Sequence, residues 1–246
     1  MSKRAVVLAG GKGTRLRPYT VVLPKPLMPV GEYPILEVLI RQLAYHGFER
    51  ITLAVNHQAE LIKAFFGDGA KWGVAIDYSL EDRPLSTIGP LKLIPDLPEN
   101  FLLLNGDVLT DLDFAGLFVA HTAARRLFTI SASARKHIAD YGVLDVGEDG
   151  RRLTGFREKP AMDYLVSMGV YVMNRQLIEA IPAGMKFGFD DLMLHMLTHG
   201  MPVHVEPYGG YWLDIGRPDD YAQAIEDFEQ RKAALLPCRQ SGEAAQ

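Results

Sequence analysis

The chain has 246 residues, 48% hydrophobic and 23% charged, the balance of a soluble globular protein with one large domain or two small ones. Its formal net charge of -4 gives no footprint for nucleic acid or an anionic membrane, and no apolar run approaches the roughly 18 residues that span a bilayer. One cysteine, Cys238, excludes an internal disulfide framework and a cysteine metal cage; the start, Met1 to Ala5, lacks the long apolar stretch of a secretion signal, so the expected location is cytoplasmic.

In chain order, the apolar run Ala5–Ala9 predicts a buried strand that stops at Gly10-Gly11. Ile35, Leu39 and Leu43 share one helix face, with Gly47 as its stop. Ile51–Val55 reads as a strand, Ala59–Phe66 as a helix ended by Gly67, and Val74–Leu80 and Phe101–Leu104 as further strands. Such alternation predicts βα units and a mainly parallel sheet in an α/β fold. The second half changes character. Phe128–Ala134 is strand-like, and Gly142–Val146 and Leu153–Lys159 flank a turn at Glu148-Asp149-Gly150, which predicts a β-hairpin. Val166–Met173 is another strand, Asp190 and Asp191 start a helix that Gly200 closes, and Pro218 opens a last helix towards Lys232. The expected organisation is one catalytic domain over residues 1–235 and a flexible tail over 236–246, rich in Pro, Gln, Ser, Gly and Ala.

The segment after the first strand, Leu8-Ala9-Gly10-Gly11-Lys12-Gly13-Thr14-Arg15, carries the chemistry. Glycines let the backbone approach a ligand and expose N–H groups that cradle phosphate oxygens, and Arg15 adds a forked cation. A P-loop would end Gly-Lys-Ser/Thr, and here the lysine lies between glycines. The dinucleotide fingerprint would need glycine at position 16, which is Leu16. For these residues alone, an ordinary strand-to-helix turn stands as the alternative.

Arg17-Pro18-Tyr19-Thr20, Pro24-Lys25-Pro26-Leu27 and Pro29-Val30 follow. The whole run from Leu8 to Val30 resembles the signature of the sugar nucleotidyltransferases, enzymes that activate sugar 1-phosphates with a nucleoside triphosphate. That signature is Gly-Gly-x-Gly-Thr-Arg-Leu-x-Pro-x-Thr followed by Pro-Lys-Pro-Leu. The resemblance implies a Rossmann-like, mixed but mainly parallel central sheet flanked by helices, of the nucleotide-diphospho-sugar transferase type. It also implies an in-line attack by a sugar phosphate oxygen on the α-phosphorus, with pyrophosphate leaving. Both reactants are anionic, so such a site needs charge neutralisation and positioning more than proton transfer.

The rest of the chain supplies matching groups. Phe101-Leu102-Leu103-Leu104-Asn105-Gly106-Asp107 is an apolar strand ending in a carboxylate at the edge where open α/β sheets bind ligands. Mg²⁺ needs one or two carboxylates plus substrate oxygens, which makes Asp107 a metal-ligand candidate. Tyr211-Trp212-Leu213-Asp214-Ile215-Gly216 looks like the family's Trp-x-Asp-x-Gly motif, which implies Asp214 as the second ligand; Trp212 itself reads as packing. Lys25 lies between two prolines that stiffen the backbone beside the phosphates. Phe156-Arg157-Glu158-Lys159-Pro160 resembles the family's Glu-Lys-Pro motif, implying Glu158 on sugar hydroxyls and Lys159 on the sugar phosphate. Tyr141-Gly142-Val143 and Ser167-Met168-Gly169 resemble the segments that face the sugar, through Gly142 and Gly169.

The nucleotide half-site then comprises Leu8, Ala9, Gly10, Gly11, Gly13, Thr14 and Arg15, with Glu81, Thr87, Gly89, Asn105 and Gly106. The base segment Glu81–Gly89 is similar to Glu-x-x-Pro-Leu-Gly-Thr-Ala-Gly of guanine-using members, but Ser86 replaces a glycine and Ile88 an alanine. The added side-chain atoms shift the loop or narrow the pocket. Glu81 can accept from guanine N1–H and the exocyclic amine, which favours GTP over thymidine or uridine triphosphate. The histidines are scattered, and the His195/His199 pair sits where a helix end favours cations rather than zinc. Mannose or manno-heptose 1-phosphate is the expected acceptor, Mg²⁺ the cofactor, and a homo-oligomer (a dimer) is admitted. Transfer of a thymidylyl, uridylyl or cytidylyl group to glucose 1-phosphate, and a non-catalytic nucleotide-sugar sensor, remain as alternatives.

Overall fold

The computed structural model describes residues 3–56 and 58–237, so the expectations at His57, Cys238 and the remainder of the tail lie outside the described residues. β1 (Lys3–Leu8) leads through three short 3-10 turns and the two-residue strands β2 (Pro29–Val30) and β3 (Tyr33–Pro34) to α1 (Ile35–Tyr45). β4 (Phe48–Val55), α2 (Ala59–Phe66), β5 (Ala75–Leu80), β6 (Asn100–Asn105), β7 (Val108–Thr110) and α3 (Phe114–Ala123) follow. The chain continues with β8 (Phe128–Ile138), β9 (Val143–Val146), β10 (Leu153–Arg157) and β11 (Ala161–Asn174). It closes with α4 (Phe189–Thr198), β12 (Val203–Tyr208), β13 (Trp212–Asp214) and α5 (Pro218–Leu235).

Seven strands form the central sheet in the order β12-β8-β11-β6-β1-β4-β5. β1 is parallel to β4 and β6, β4 to β5, and β12 to β8. β11 runs antiparallel to both β6 and β8, so the sheet is mixed and mainly parallel, as expected. Its central strands are buried on both faces, which is why they read as unbroken apolar runs. Ala5 and Val7 pack with Leu36, Leu39 and Leu43 of α1 and Phe66 of α2, while Val6 packs with Leu192 and Met196 of α4. In β6, Leu102 and Leu104 take the first face and Phe101 and Leu103 the second, the two-residue period of a strand. Each fully buried Leu or Ile contributes about 1.5–3 kcal/mol, enough to fix α1 by Leu36, Leu39, Ile40 and Leu43 alone. A third cluster places Phe228 and Leu235 of α5 against Leu16, Met28 and Ile35.

Acidic side chains open two of the helices, one of them at the expected Asp190-Asp191 pair. Asp113 accepts from Gly116 N–H at 2.9 Å to open α3, and Asp191 accepts from Gly188 N–H at 2.7 Å to open α4. Two strands are longer than their apolar patterns. β8 continues past Ala134 to Ile138, and β11 begins at Ala161, with Ala161 opposite Ile138 and Tyr164 opposite Arg135. These residues are exposed, so no burial period marks them. They form a ribbon carrying the expected hairpin of β9 and β10, where Arg157 pairs with Val143. α5 runs past Lys232 to Leu235, which is fully buried, and Leu236 packs against the same cluster.

Candidate active site

β1, β4, β5 and β6 are parallel and end at one edge, where such sheets bind ligands. They deliver Gly10, Asn56, Glu81 and Asp107 to a crevice of two adjoining cavities, about 370 and 660 Å³. Leu8, Gly10, Gly11, Lys12, Thr87, Asn105 and Asp107 line the smaller cavity; Lys12, Asn56, Glu81 and Pro84 border both. A Cβ at Gly10 would lie 3.0 Å from Glu81 Oε1, so the loop passes the base segment with no room to spare. Asn56 Nδ2 donates to Gly10 O, and Thr20 Oγ1 donates to Gly13 O at 2.7 Å. Thr14–Leu16 closes the loop as a single 3-10 turn rather than opening a helix. Arg15 is exposed and reaches the Asp214 loop; its Nη2 lies 3.3 Å from where a Cβ on Gly216 would be.

Lys25 begins a 3-10 turn braced by Leu27 N–H on Pro24 O at 2.8 Å, and its side chain is only 10% exposed. Its Nζ forms an ion pair with Asp107 Oδ2. Asp107 is aimed there by Gly106, whose N–H donates to Leu8 O at 2.9 Å. Asp107 Oδ1 is buried with no hydrogen-bond partner. Asp214 arrives on β13, paired with β7 so that Asp214 faces Val108, and Ile215 N–H donates to Asp107 O at 3.1 Å. Burial pushes the Asp214 carboxyl above its ordinary range; Asp107 adds to this, while Lys25 and Arg15 pull it back. An orphaned carboxylate oxygen beside a second carboxylate is a donor set short of a cation. Mg²⁺ fits it, because that ion takes few protein carboxylates and completes its shell with substrate oxygens. Among the described residues no group of three or more acids, histidines and cysteines assembles, so the arrangement suits an open site and not a closed cage.

On the base side, Glu81 Oε2 accepts from Leu85 N–H at 3.0 Å, and burial raises its carboxyl. Ser86 holds φ +70, the left-handed backbone that a glycine adopts most easily, and lines the smaller cavity. The loop therefore keeps a glycine-like path with a hydroxymethyl group added to the wall. Thr87 Oγ1 accepts from Phe189 N–H at 2.8 Å, and Gly89 N–H is taken up by Phe187 O at 2.8 Å.

On the sugar side, the β11–β8 register breaks between Ser167 and Tyr171, and Gly169 there has φ +72. A Cβ on Gly169 would sit 2.6 Å from Asn105 Nδ2, which brings this bulge against the end of β6. Gly142 and Glu158 are neighbours on the hairpin, a Gly142 Cβ lying 3.2 Å from Glu158 Oε2. Lys159 is exposed at φ +41. Arg15, Lys25, Asp107 and Asp214 thus come together, whereas Gly142, Glu158 and Lys159 stay on the ribbon. Asn56 was not singled out by the sequence; its place directly after an apolar strand is the signal that could have found it. Trp212 does more than pack, since its Nε1 donates to Met168 O at 2.9 Å.

The profile of the family described as Nucleotidyl transferase matches residues 4–231. The UTP–glucose-1-phosphate uridylyltransferase of Synechocystis sp. is 34% identical across 93% of this chain and 64% of its own length. The D-glycero-alpha-D-manno-heptose 1-phosphate guanylyltransferase of Aneurinibacillus thermoaerophilus is 29% identical across 92% of this chain and 98% of its own length. The crystal structure of HddC from Yersinia pseudotuberculosis superposes with a TM-score of 0.71 at 28% identity, covering 92% of this chain and 99% of HddC. The chain spans 64% of the Synechocystis relative and nearly all of the other two. No described helix is long and apolar enough to cross a membrane. The glycine loop, Lys25 and both carboxylates fall inside the matched span, and the chain belongs to the nucleotidyl transferase family.

Proposed function

We propose that the chain transfers GMP from GTP to mannose or manno-heptose 1-phosphate, giving a nucleotide-sugar and pyrophosphate. The observation that carries this reading is the meeting of Lys25, Asp107, Asp214 and Arg15 beneath the glycine loop. An oxygen of the sugar phosphate attacks the α-phosphorus in line; the bond from that phosphorus to the bridging oxygen breaks, and pyrophosphate departs with the electron pair. Lys25, held by Asp107, offsets charge on the reacting phosphates, and Arg15 with the N–H groups of the loop receives the leaving pyrophosphate. Asp107 and Asp214 would hold Mg²⁺, which when bound neutralises phosphate oxygens. Glu158 and Lys159, with Gly142 beside them, take the sugar hydroxyls and phosphate from the ribbon side, and Gly169 lines the sugar from the β11 bulge. A cytoplasmic enzyme folded as one domain over 1–235 is the accompanying reading.

The guanine preference is supported by the acceptor geometry available to Glu81 and by the heptose guanylyltransferase relative. The Synechocystis relative supports the second reading, uridylyl transfer to glucose 1-phosphate. The test is a matrix of five nucleoside triphosphates against mannose, manno-heptose and glucose 1-phosphates with Mg²⁺, scored by pyrophosphate release. GTP with a manno-configured sugar is expected to give the highest kcat/KM. UTP with glucose 1-phosphate in the lead would overturn the base and sugar assignments. Silence from every pair would replace the enzyme by a nucleotide-sugar-sensing regulator.

A further inference from the structure

Trp212 joins the two halves of the site. It lies two residues before Asp214 on β13, so both side chains leave the strand on the same face. The strand is held at both ends. Before Trp212, Thr110 Oγ1 donates to Tyr211 O at 2.7 Å and Asp111 accepts from Tyr211 N–H at 2.7 Å; after Asp214, Ile215 N–H donates to Asp107 O. The Trp212 indole N–H donates at 2.9 Å to the carbonyl of Met168, a buried residue directly before Gly169. Over the face of the same ring lies the Arg135 guanidinium of β8, 4.5 Å from the centroid, with Nη2 donating to Trp212 O at 3.3 Å. Among the described residues no carboxylate forms an ion pair with Arg135, so its partners are the indole and the backbone of β13.

We propose that Arg135 is a positioning residue that acts through Trp212. The guanidinium holds the indole, the indole N–H holds the Met168 carbonyl, and that carbonyl sets the Gly169 bulge at a fixed separation from Asp214. The gap so defined admits the sugar 1-phosphate between the bulge and the metal carboxylates. This inference rests on the sugar half-site of the proposed function. Arg135 touches neither substrate; it determines how well the acceptor is seated, and leaves the nucleotide side alone.

Steady-state kinetics of three variants tests it. Trp212→Phe keeps a ring for Arg135 but deletes the N–H, leaving a buried carbonyl unpaired, so KM for the sugar 1-phosphate rises about tenfold (about 1.4 kcal/mol) while KM for the triphosphate changes less than about twofold. Arg135→Ala removes an exposed cation, a change the core does not feel, and raises the sugar KM about threefold. The double variant matches Trp212→Phe alone, because the cation has lost the N–H through which it acts. Equal shifts of both KM values, an Arg135→Ala protein indistinguishable from wild type, or multiplicative effects in the double variant would each overturn the proposal. Trp72→Phe leaves Trp212 as the one tryptophan of the two in the chain, so quenching of its emission by sugar 1-phosphate reads the affinity of the parent and of Arg135→Ala without turnover, while isothermal titration calorimetry reads it for Trp212→Phe. A wild type that releases pyrophosphate while both variants keep its sugar affinity sinks the clamp and spares the reaction. No pyrophosphate and no quenching with any sugar 1-phosphate sinks the reaction, and the clamp with it.

Discussion

Replacing Gly169 by alanine forces a methyl group into space that Asn105 already fills. The backbone holds φ +72 at this position, which costs an L-residue about 1–2 kcal/mol. The new Cβ would lie 2.6 Å from Asn105 Nδ2 and 3.0 Å from Asn105 Cγ. Relief requires moving the bulge or the amide, an overpacking cost of about 1–3 kcal/mol. The bulge does not move freely, because Met168 and Val170 are buried and Trp212 grips the Met168 carbonyl, so the Asn105 side chain must turn away. Alanine's smaller unfolded-state entropy returns about 0.4–1 kcal/mol, so the net loss is about 2–4 kcal/mol. Urea unfolding followed by far-UV circular dichroism measures it, provided the m-value stays constant. Asn105→Ala in the same background removes the clash but not the φ strain. Against Asn105→Ala alone, the double variant should therefore retain a loss of only about 0.5–1 kcal/mol, the φ strain less the same entropy return. A Gly169→Ala protein within about 0.5 kcal/mol of wild type refutes the close approach, and so does a double variant showing no relief; typical surface substitutions fall within that margin.

Asp107→Ala should lower turnover by at least about 100-fold with the far-UV spectrum unchanged, and wild-type rates in that variant would remove Asp107 from the metal role. Lys25→Met should lower kcat by about 10²–10³ and leave the nucleotide Kd, read by fluorescence titration, far less affected; a loss confined to nucleotide binding would move Lys25 away from the reacting phosphates. His121 is fully buried between Thr129 Oγ1 at 2.8 Å and Asn100 Oδ1 at 3.2 Å, and burial pushes its pKa down to about 4, with Arg126 and His204 adding to the effect. The unfolded chain, with a histidine pKa of about 6.5, binds the extra proton between these values, so stability falls as pH drops from about 6.5 to about 4, by about 3 kcal/mol in all. His121→Gln should flatten that slope in urea melts at pH 7 and pH 4.5; parallel slopes for the two proteins would show that His121 is not responsible.

Legibility followed the range of the interactions. The loop Leu8–Arg15 and the strand ending at Asp107 announce themselves, because burial on two faces and a glycine turn both leave local marks. Asn56 does not. An asparagine after a strand looks like any other until Gly10, 46 positions earlier, is seen to accept its hydrogen bond. β7 and β13 are three residues each and exist only as partners, so neither carries a period of its own. The ribbon residues 134–138 and 161–165 pair with one another while exposed, which removes the burial contrast that reveals a strand. Trp212 read as packing because an indole's apolar bulk is visible in sequence and the acceptor of its N–H is not. At Ser86 the sequence shows the hydroxymethyl group added to the cavity wall but not the left-handed backbone that carries it.

The central place of β1 in the sheet has a consequence for synthesis of the chain. This strand is made before both of its neighbours, β4 at residues 48–55 and β6 at residues 100–105. Asp214, the last wall of the crevice, follows Gly10 by 204 positions. At about 5–20 residues per second, the glycine loop waits about 10–40 s in the nascent chain before the second carboxylate arrives. A ligand that needs the whole crevice can stabilise this fold only after Asp214 has been made, so earlier folding must be secured by the apolar strands alone.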